Sequence, residues 1–93
     1  MFQGILRQIR EKVRQHQYVM TLHAEEEMSD DNLSIFDVER SLLTGEIVER
    51  QKDAVTGEWK YLIKGQTVTD NEMITVAKIS PTGKLVIITV YRL

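Results

Sequence analysis

Apolar positions in the first part of the chain recur with a helical period. Phe2, Ile5, Leu6, Ile9 and Val13 follow i, i+3, i+4 spacing, and Arg7, Arg10, Lys12 and Arg14 take the other faces. This predicts a helix with one buried stripe and a wet basic back. Tyr18, Val19 and Met20 form a brief extended segment at most. Thr21 can cap a second, short helix, in which Ala24 and Met28 share a buried face and His23 and Glu27 share another. Ser29-Asp30-Asp31-Asn32 reads as a turn, because these side chains bond their own backbone. Ser34 caps a third helix with Asp37 three residues on, and Leu33 and Val38 sit where a hydrophobic staple would place them. Gly45 is expected to end that helix as a left-handed residue.

Beyond Gly45 the period changes to two. Ile47 and Val48 open a strand that continues through Arg50, and Lys52 to Gly57 turns the chain. Trp59, Tyr61 and Ile63 then alternate with Lys60, Leu62 and Lys64 in a second strand, with the first set as the core face. Met73 to Ile79 makes a third strand, and Ser80-Pro81-Thr82-Gly83 fits a tight turn with proline at its second position. The fourth, Leu85 to Tyr91, is apolar on both faces and is expected inside the sheet or under a partner. Segregated helices and strands predict an α+β fold: three N-terminal helices packed on a four-stranded antiparallel meander, as a single domain over residues 1–93.

Composition narrows the function classes. A chain of 93 residues without cysteine has no disulfide, no thiolate nucleophile and no Cys-based zinc site. A core this small leaves two solutions, helices layered on a sheet or a dimer. No apolar run reaches the roughly 18 residues of a membrane span, and Met-Phe-Gln-Gly-Ile-Leu-Arg lacks the marks of a signal peptide. A cytoplasmic protein without membrane contact is therefore expected. Net charge is −2, which argues against an avid general nucleic-acid binder. The charge is split, however. Residues 25–49 hold nine acids against Arg40 alone, a net −8, and the remainder holds eleven basic residues against five acids, a net +6.

Candidate chemistry centres on His23. In the first turn of a helix the dipole favours a neutral imidazole that can accept a proton, whereas Glu27 and its neighbours favour the charged ring, so the sign of the net effect is open. The competing role for His23 is structural, packed where helix meets sheet and bonded to a carbonyl. Arg50, Lys60, Lys64, Lys78 and Arg92 lie on the strands with Tyr61 and Tyr91 nearby. Such groups can hold a phosphate, and RNA cleavage by 2′-hydroxyl attack needs little beyond a base, a cation and an acid in line. Exposed antiparallel faces also carry such lysines for solubility and edge protection. His16 and His23 have no metal-ligand spacing, and no Gly-rich phosphate loop, His-Glu-x-x-His, Gly-x-Ser-x-Gly or dinucleotide fingerprint is present. Neither a metal nor a cofactor is expected.

Tyr18-x-x-Thr21-x-His23-Ala24-x-x-x-Met28, then Asp37-Val38-x-x-x-Leu42-x-x-Gly45-Glu46-Ile47, and finally Val86-x-Ile88-Thr89-Val90-Tyr91, together resemble a small bacterial family, domain of unknown function 4258. The resemblance covers nearly the whole chain. It implies a distant relation to RelE-like and MqsR-like toxins, whose shared ribonuclease fold places helices before an antiparallel sheet, and an antitoxin as a partner. His23 matches the family histidine, Gly45 with Glu46 its Gly-Glu turn, and Thr89 with Tyr91 its terminal strand. Members usually carry an arginine just after the methionine turn, where this chain has Ser29-Asp30-Asp31-Asn32.

Two functions follow. The first is a non-catalytic interaction module, homodimeric through its last strand or the Trp59 face. The alternative is a metal-independent endoribonuclease of a toxin–antitoxin system acting on RNA. There His23 would be base or acid, Lys60 and Arg92 would neutralise phosphate, and Tyr91 would orient or donate. Catalysis requires His23 beside a strand cation in a concave site.

Overall fold

The computed structural model describes residues 2–93. The helical stripe becomes α1 (Gln3–Arg14), which buries Leu6, Ile9 and Val13. A short strand, β1 (Tyr18–Met20), precedes α2 (Leu22–Asp30). The Thr21 hydroxyl caps α2 by accepting from the Ala24 N–H at 3.1 Å. α3 (Ile35–Thr44) starts with the reciprocal box its sequence predicts. Ser34 Oγ accepts from the Asp37 N–H at 3.2 Å, and Asp37 Oδ2 accepts from the Ser34 N–H at 2.8 Å. Such a cap contributes about 1 kcal/mol. Strands β2 (Glu46–Lys52), β3 (Trp59–Gln66), β4 (Glu72–Ile79) and β5 (Leu85–Arg92) follow.

The sheet has five strands in the order β1-β5-β4-β3-β2, which corrects the expected four-stranded antiparallel meander. β2 to β5 do form the antiparallel run, but β1 adds to β5 in parallel through Tyr18↔Leu85, Val19↔Val86 and Met20↔Ile87. Three residues are too few to show an alternation, and the partner strand lies far along the chain. β5 is therefore an interior strand, consistent with its two apolar faces, and is not available as a dimer edge.

All three helices lie against one face of the sheet or its rim. Ile9, Val13, Val38 and Leu42 meet Ile63, Met73, Leu85 and Ile87 in a fully closed core. Within it, the hydroxyls of Ser41 and Thr75 share a 2.9 Å hydrogen bond, which satisfies two buried polar groups. Of the three residues expected on the core face of β3, Tyr61 and Ile63 are buried, while Trp59 is 39% exposed. The Trp59 ring is covered instead by the Arg50 guanidinium, 4.1 Å from its centroid.

Gly45 differs from expectation in its reason. Its backbone is extended (φ −87°, ψ 173°), not left-handed. A Cβ there would stand 2.5 Å from the Ser41 carbonyl oxygen and 2.7 Å from that of Lys64. Close approach between the end of α3 and β3 requires the glycine. Gly65 meets the same helix more tightly, since a Cβ would lie 2.0 Å from Ser41 O.

Candidate functional site

The face of the sheet away from the helices carries Lys60, Leu62 and Lys64 on β3, Ile74, Val76 and Lys78 on β4, and Val86, Thr89 and Tyr91 on β5, as the registers dictate. A bulge between Val76 and Ala77 leaves Ile88 as the extra residue of β5. Flanking side chains bury Ile74 and Val76 even without a helix above them. Here lies a cavity of about 260 Å³ lined by Thr21, Asp53, Glu58, Lys60, Lys78, Val86 and Ile88. The hairpin between β2 and β3 supplies its acids, and the start of α2 supplies Thr21.

Each cation on this face has an acid close by. Lys78 Nζ stands 3.4 Å from Glu58 Oε1, and Lys64 Nζ stands 3.4 Å from Glu72 Oε2. Asp53 lies beside Lys60. The backbone N–H groups of Thr56 and Val55 hold its carboxyl below the usual carboxylate range, with a smaller contribution from the Lys60 ammonium. The face is balanced in charge rather than basic.

The four sequence candidates are brought to different places. His23 lies in the first turn of α2 with its side chain 66% exposed, and its Nε2 is 3.2 Å from Glu27 Oε1. It is not packed at the helix–sheet junction. Lys60 and Tyr91 share the helix-free face. Tyr91 falls in the cross-strand row of Ile74 and Lys64, so Lys60 is four residues along the strand and two strands across. At about 3.3 Å per residue and about 4.8 Å per strand, their backbones are about 16 Å apart. Arg92 is engaged at the turn after α2, where Nε donates to the Asp31 carbonyl at 2.7 Å and Nη2 to that of Asn32 at 3.2 Å.

Thr21, Asp53 and Glu58 line the cavity without having been singled out as site residues. Thr21 was legible only as a cap, yet its hydroxyl also donates to the Ile88 carbonyl at 3.1 Å. The two acids sit in a turn whose position over the sheet no local pattern encodes. Among the described residues no group of three or more His, Asp or Glu side chains could hold a metal ion, and no helix is long and apolar enough to cross a membrane.

The two edges of the sheet are treated differently. Beyond β1, α2 runs along the outer side of β5 and supplies partners that a strand would otherwise give. Glu27 Oε1 accepts from the Val90 N–H at 3.3 Å, and Asp31 Oδ2 accepts from the Arg92 N–H at 3.0 Å. The Ile87 carbonyl accepts from the Thr21 N–H at 3.0 Å. At the other edge, no backbone group of Glu46–Lys52 makes a hydrogen bond outside its ladder with β3, among the described residues.

No curated protein and no solved structure matches this chain significantly. The family model described as Domain of unknown function (DUF4258) matches residues 20–92, from the last residue of β1 through β5, and leaves α1 outside. That span holds α2 with His23 and Glu27, the closed edge, the helix-free face and the open edge, and on this match the chain belongs to the DUF4258 family.

Proposed function

We propose that this domain is a non-catalytic interaction module that binds by strand addition along β2. What supports it is the contrast between the edges. Beyond β1, the outer side of β5 is sealed by α2 donating and accepting in place of a strand. At the other edge the seven-residue β2 bonds through its backbone to β3 alone, which leaves its outward-pointing groups without a partner among the described residues. An extended segment laid against such an edge gains main-chain hydrogen bonds, and neighbouring side chains set its specificity. Val48, 55% exposed, and the Arg50–Trp59 stack flank the edge and offer apolar and cationic contacts.

The test places a photo-crosslinking amino acid at Val48 on the open edge or at the exposed Leu22 on α2, the helix that closes the other. Discrete adducts from position 48 and none from position 22 are expected. Equal labelling, or no adduct at 48, overturns strand addition.

Metal-independent RNA cleavage is the second reading, favoured by one observation. His23 stays open to solvent with a carboxylate on Nε2, an arrangement that orients a general base. Against it stand the separation of Lys60 from Tyr91 and the engagement of Arg92 at a turn. Total RNA incubated with native protein and with His23→Ala decides: cleavage lost with the imidazole would establish an enzyme and displace the interaction module.

A further inference from the structure

The register of β2 sorts its charges by face. Ile47, Arg50 and Lys52 stand opposite Ile63, Tyr61 and Trp59, on the side that carries the helices. Glu46, Glu49 and Gln51 stand opposite Lys64, Leu62 and Lys60, on the helix-free side. Given the strand-addition reading above, we propose that the segment added along β2 is an extended peptide with acidic side chains at alternate positions, turned toward the helix-bearing side.

Three cations meet that acidic row. Arg50 and Lys52 belong to the edge itself, and Arg10 reaches in from α1. A cavity of about 450 Å³ lies between α1 and the start of β2, lined by Phe2, Gln3, Leu6, Arg10, Glu46 and Ile47. Arg10 Nη2 donates to the Gly45 carbonyl at 3.0 Å, while its Nε is buried without an acceptor. Arg50 borders the same cavity, its guanidinium 5.7 Å from the centre of the Phe2 ring. None of the three cations forms an ion pair among the described residues. A glutamate from an added strand would lay its methylenes on Phe2, Leu6 and Ile47 and bring its carboxylate to the guanidinium, a strong charge-assisted pairing. α1 supplies four of the six lining residues and lies outside the family match, so this selectivity comes from a helix that the family model leaves out.

The other face sets the spacing. Residues between the acids would neighbour Glu46 and Glu49, and like charges on adjacent strands are unfavourable, so alternate acids fit better than consecutive ones. Charged side chains and the bulge between Ile47 and Glu49 also protect an edge from indiscriminate pairing. Protection explains neither the sorting of charge by face nor the guanidinium without a carboxylate beside the strand.

The experiment measures binding of labelled peptides, each as long as β2, to the full chain by fluorescence anisotropy. One peptide alternates glutamate with threonine, a second alternates lysine with threonine, and a third has the composition of the first with its glutamates in one block. The first is expected to bind at least about tenfold more tightly than the second, and more tightly than the third. Arg50→Gln with Lys52→Gln, and separately Arg10→Gln, should each weaken it about tenfold. Glu46→Gln with Glu49→Gln alters the same strand on its other face and should leave that affinity no weaker. No binding of the first peptide, equal binding of either other peptide, or cation variants without effect overturns the acidic partner. The crosslinker at position 48 keeps the two claims apart. Adducts there from the lysine peptide alone leave strand addition standing without the acidic row, whereas a bound glutamate peptide that labels position 22 and not 48 removes strand addition as well.

Discussion

Glu27 Oε1 accepts the Val90 N–H at 3.3 Å and stands 3.2 Å from the Nε2 of His23, so one carboxylate both closes the sheet edge and holds the imidazole. Glu27→Ala leaves that half-buried N–H without its acceptor and is expected to cost about 1–2 kcal/mol. Glu27→Gln keeps an acceptor oxygen and should lose less. Urea denaturation gives the size, and faster exchange of the Val90 amide in the alanine variant locates it.

Asp37 makes stability depend on acid. Burial raises its pKa, but hydrogen bonds from the Ser34 and Val68 N–H groups and the Ser34 hydroxyl, with the Arg92 charge nearby, outweigh that, so the net value is lowered from 3.8. The folded state therefore prefers the carboxylate. Its contribution is complete above the unfolded value and is lost as pH falls through the lower folded one. Asp37→Asn should be less stable at neutral pH and flatter in its response below pH 4, about where an unfolded carboxylate titrates, as read from denaturant midpoints.

Tyr18 acts at the opposite end of the scale. Burial, a hydrogen bond donated to Glu39 and the charge of that carboxylate push its pKa from 10.0 to about 12. A raised value means that the folded state holds the proton longer. The contribution is complete below pH 10.0 and is lost as pH rises towards about 12. Tyr18→Phe should remove this alkaline loss, and absorbance titration of the phenol should show its late ionisation in the native protein only.

Gly65→Ala would press a methyl group to 2.0 Å from the Ser41 carbonyl oxygen, which belongs to backbone and cannot swing aside. Overpacking usually costs about 1–3 kcal/mol, and this site should reach the top of that range or beyond. Gly57→Ala meets no atom within 4 Å and bears only the strain of its positive φ of 73°, so it should be milder. Thermal melting of the two variants gives the comparison.

The local devices of this fold are readable from neighbouring residues. Thr21 and the Ser34–Asp37 pair lie beside the groups they bind, and both caps form as their spacing implies. Parallel addition of β1 to β5 joins Tyr18 to Leu85, and no three-residue pattern encodes a partner so distant. Long-range geometry also decides the candidate site. Alternation correctly separates Lys60 from Tyr61, but the distance from Lys60 to Tyr91 depends on registers across three strands. Arg92 looks like a free cation in the sequence, and only the turn at Asp31 and Asn32 shows where its guanidinium is spent.

Interior placement of β5 also bears on how the chain is born. Every other element is synthesised before Leu85 emerges, yet the sheet that precedes it has no surface on which β1 can dock and no edge for α2 to seal. A nascent chain halted before Leu85 thus keeps Met73, Ile63 and Val13 without the strand that completes their shared core. Cooperative folding waits for β5 to emerge, and a chain cut short inside that eight-residue strand should be a species for quality-control proteases rather than a partly working protein.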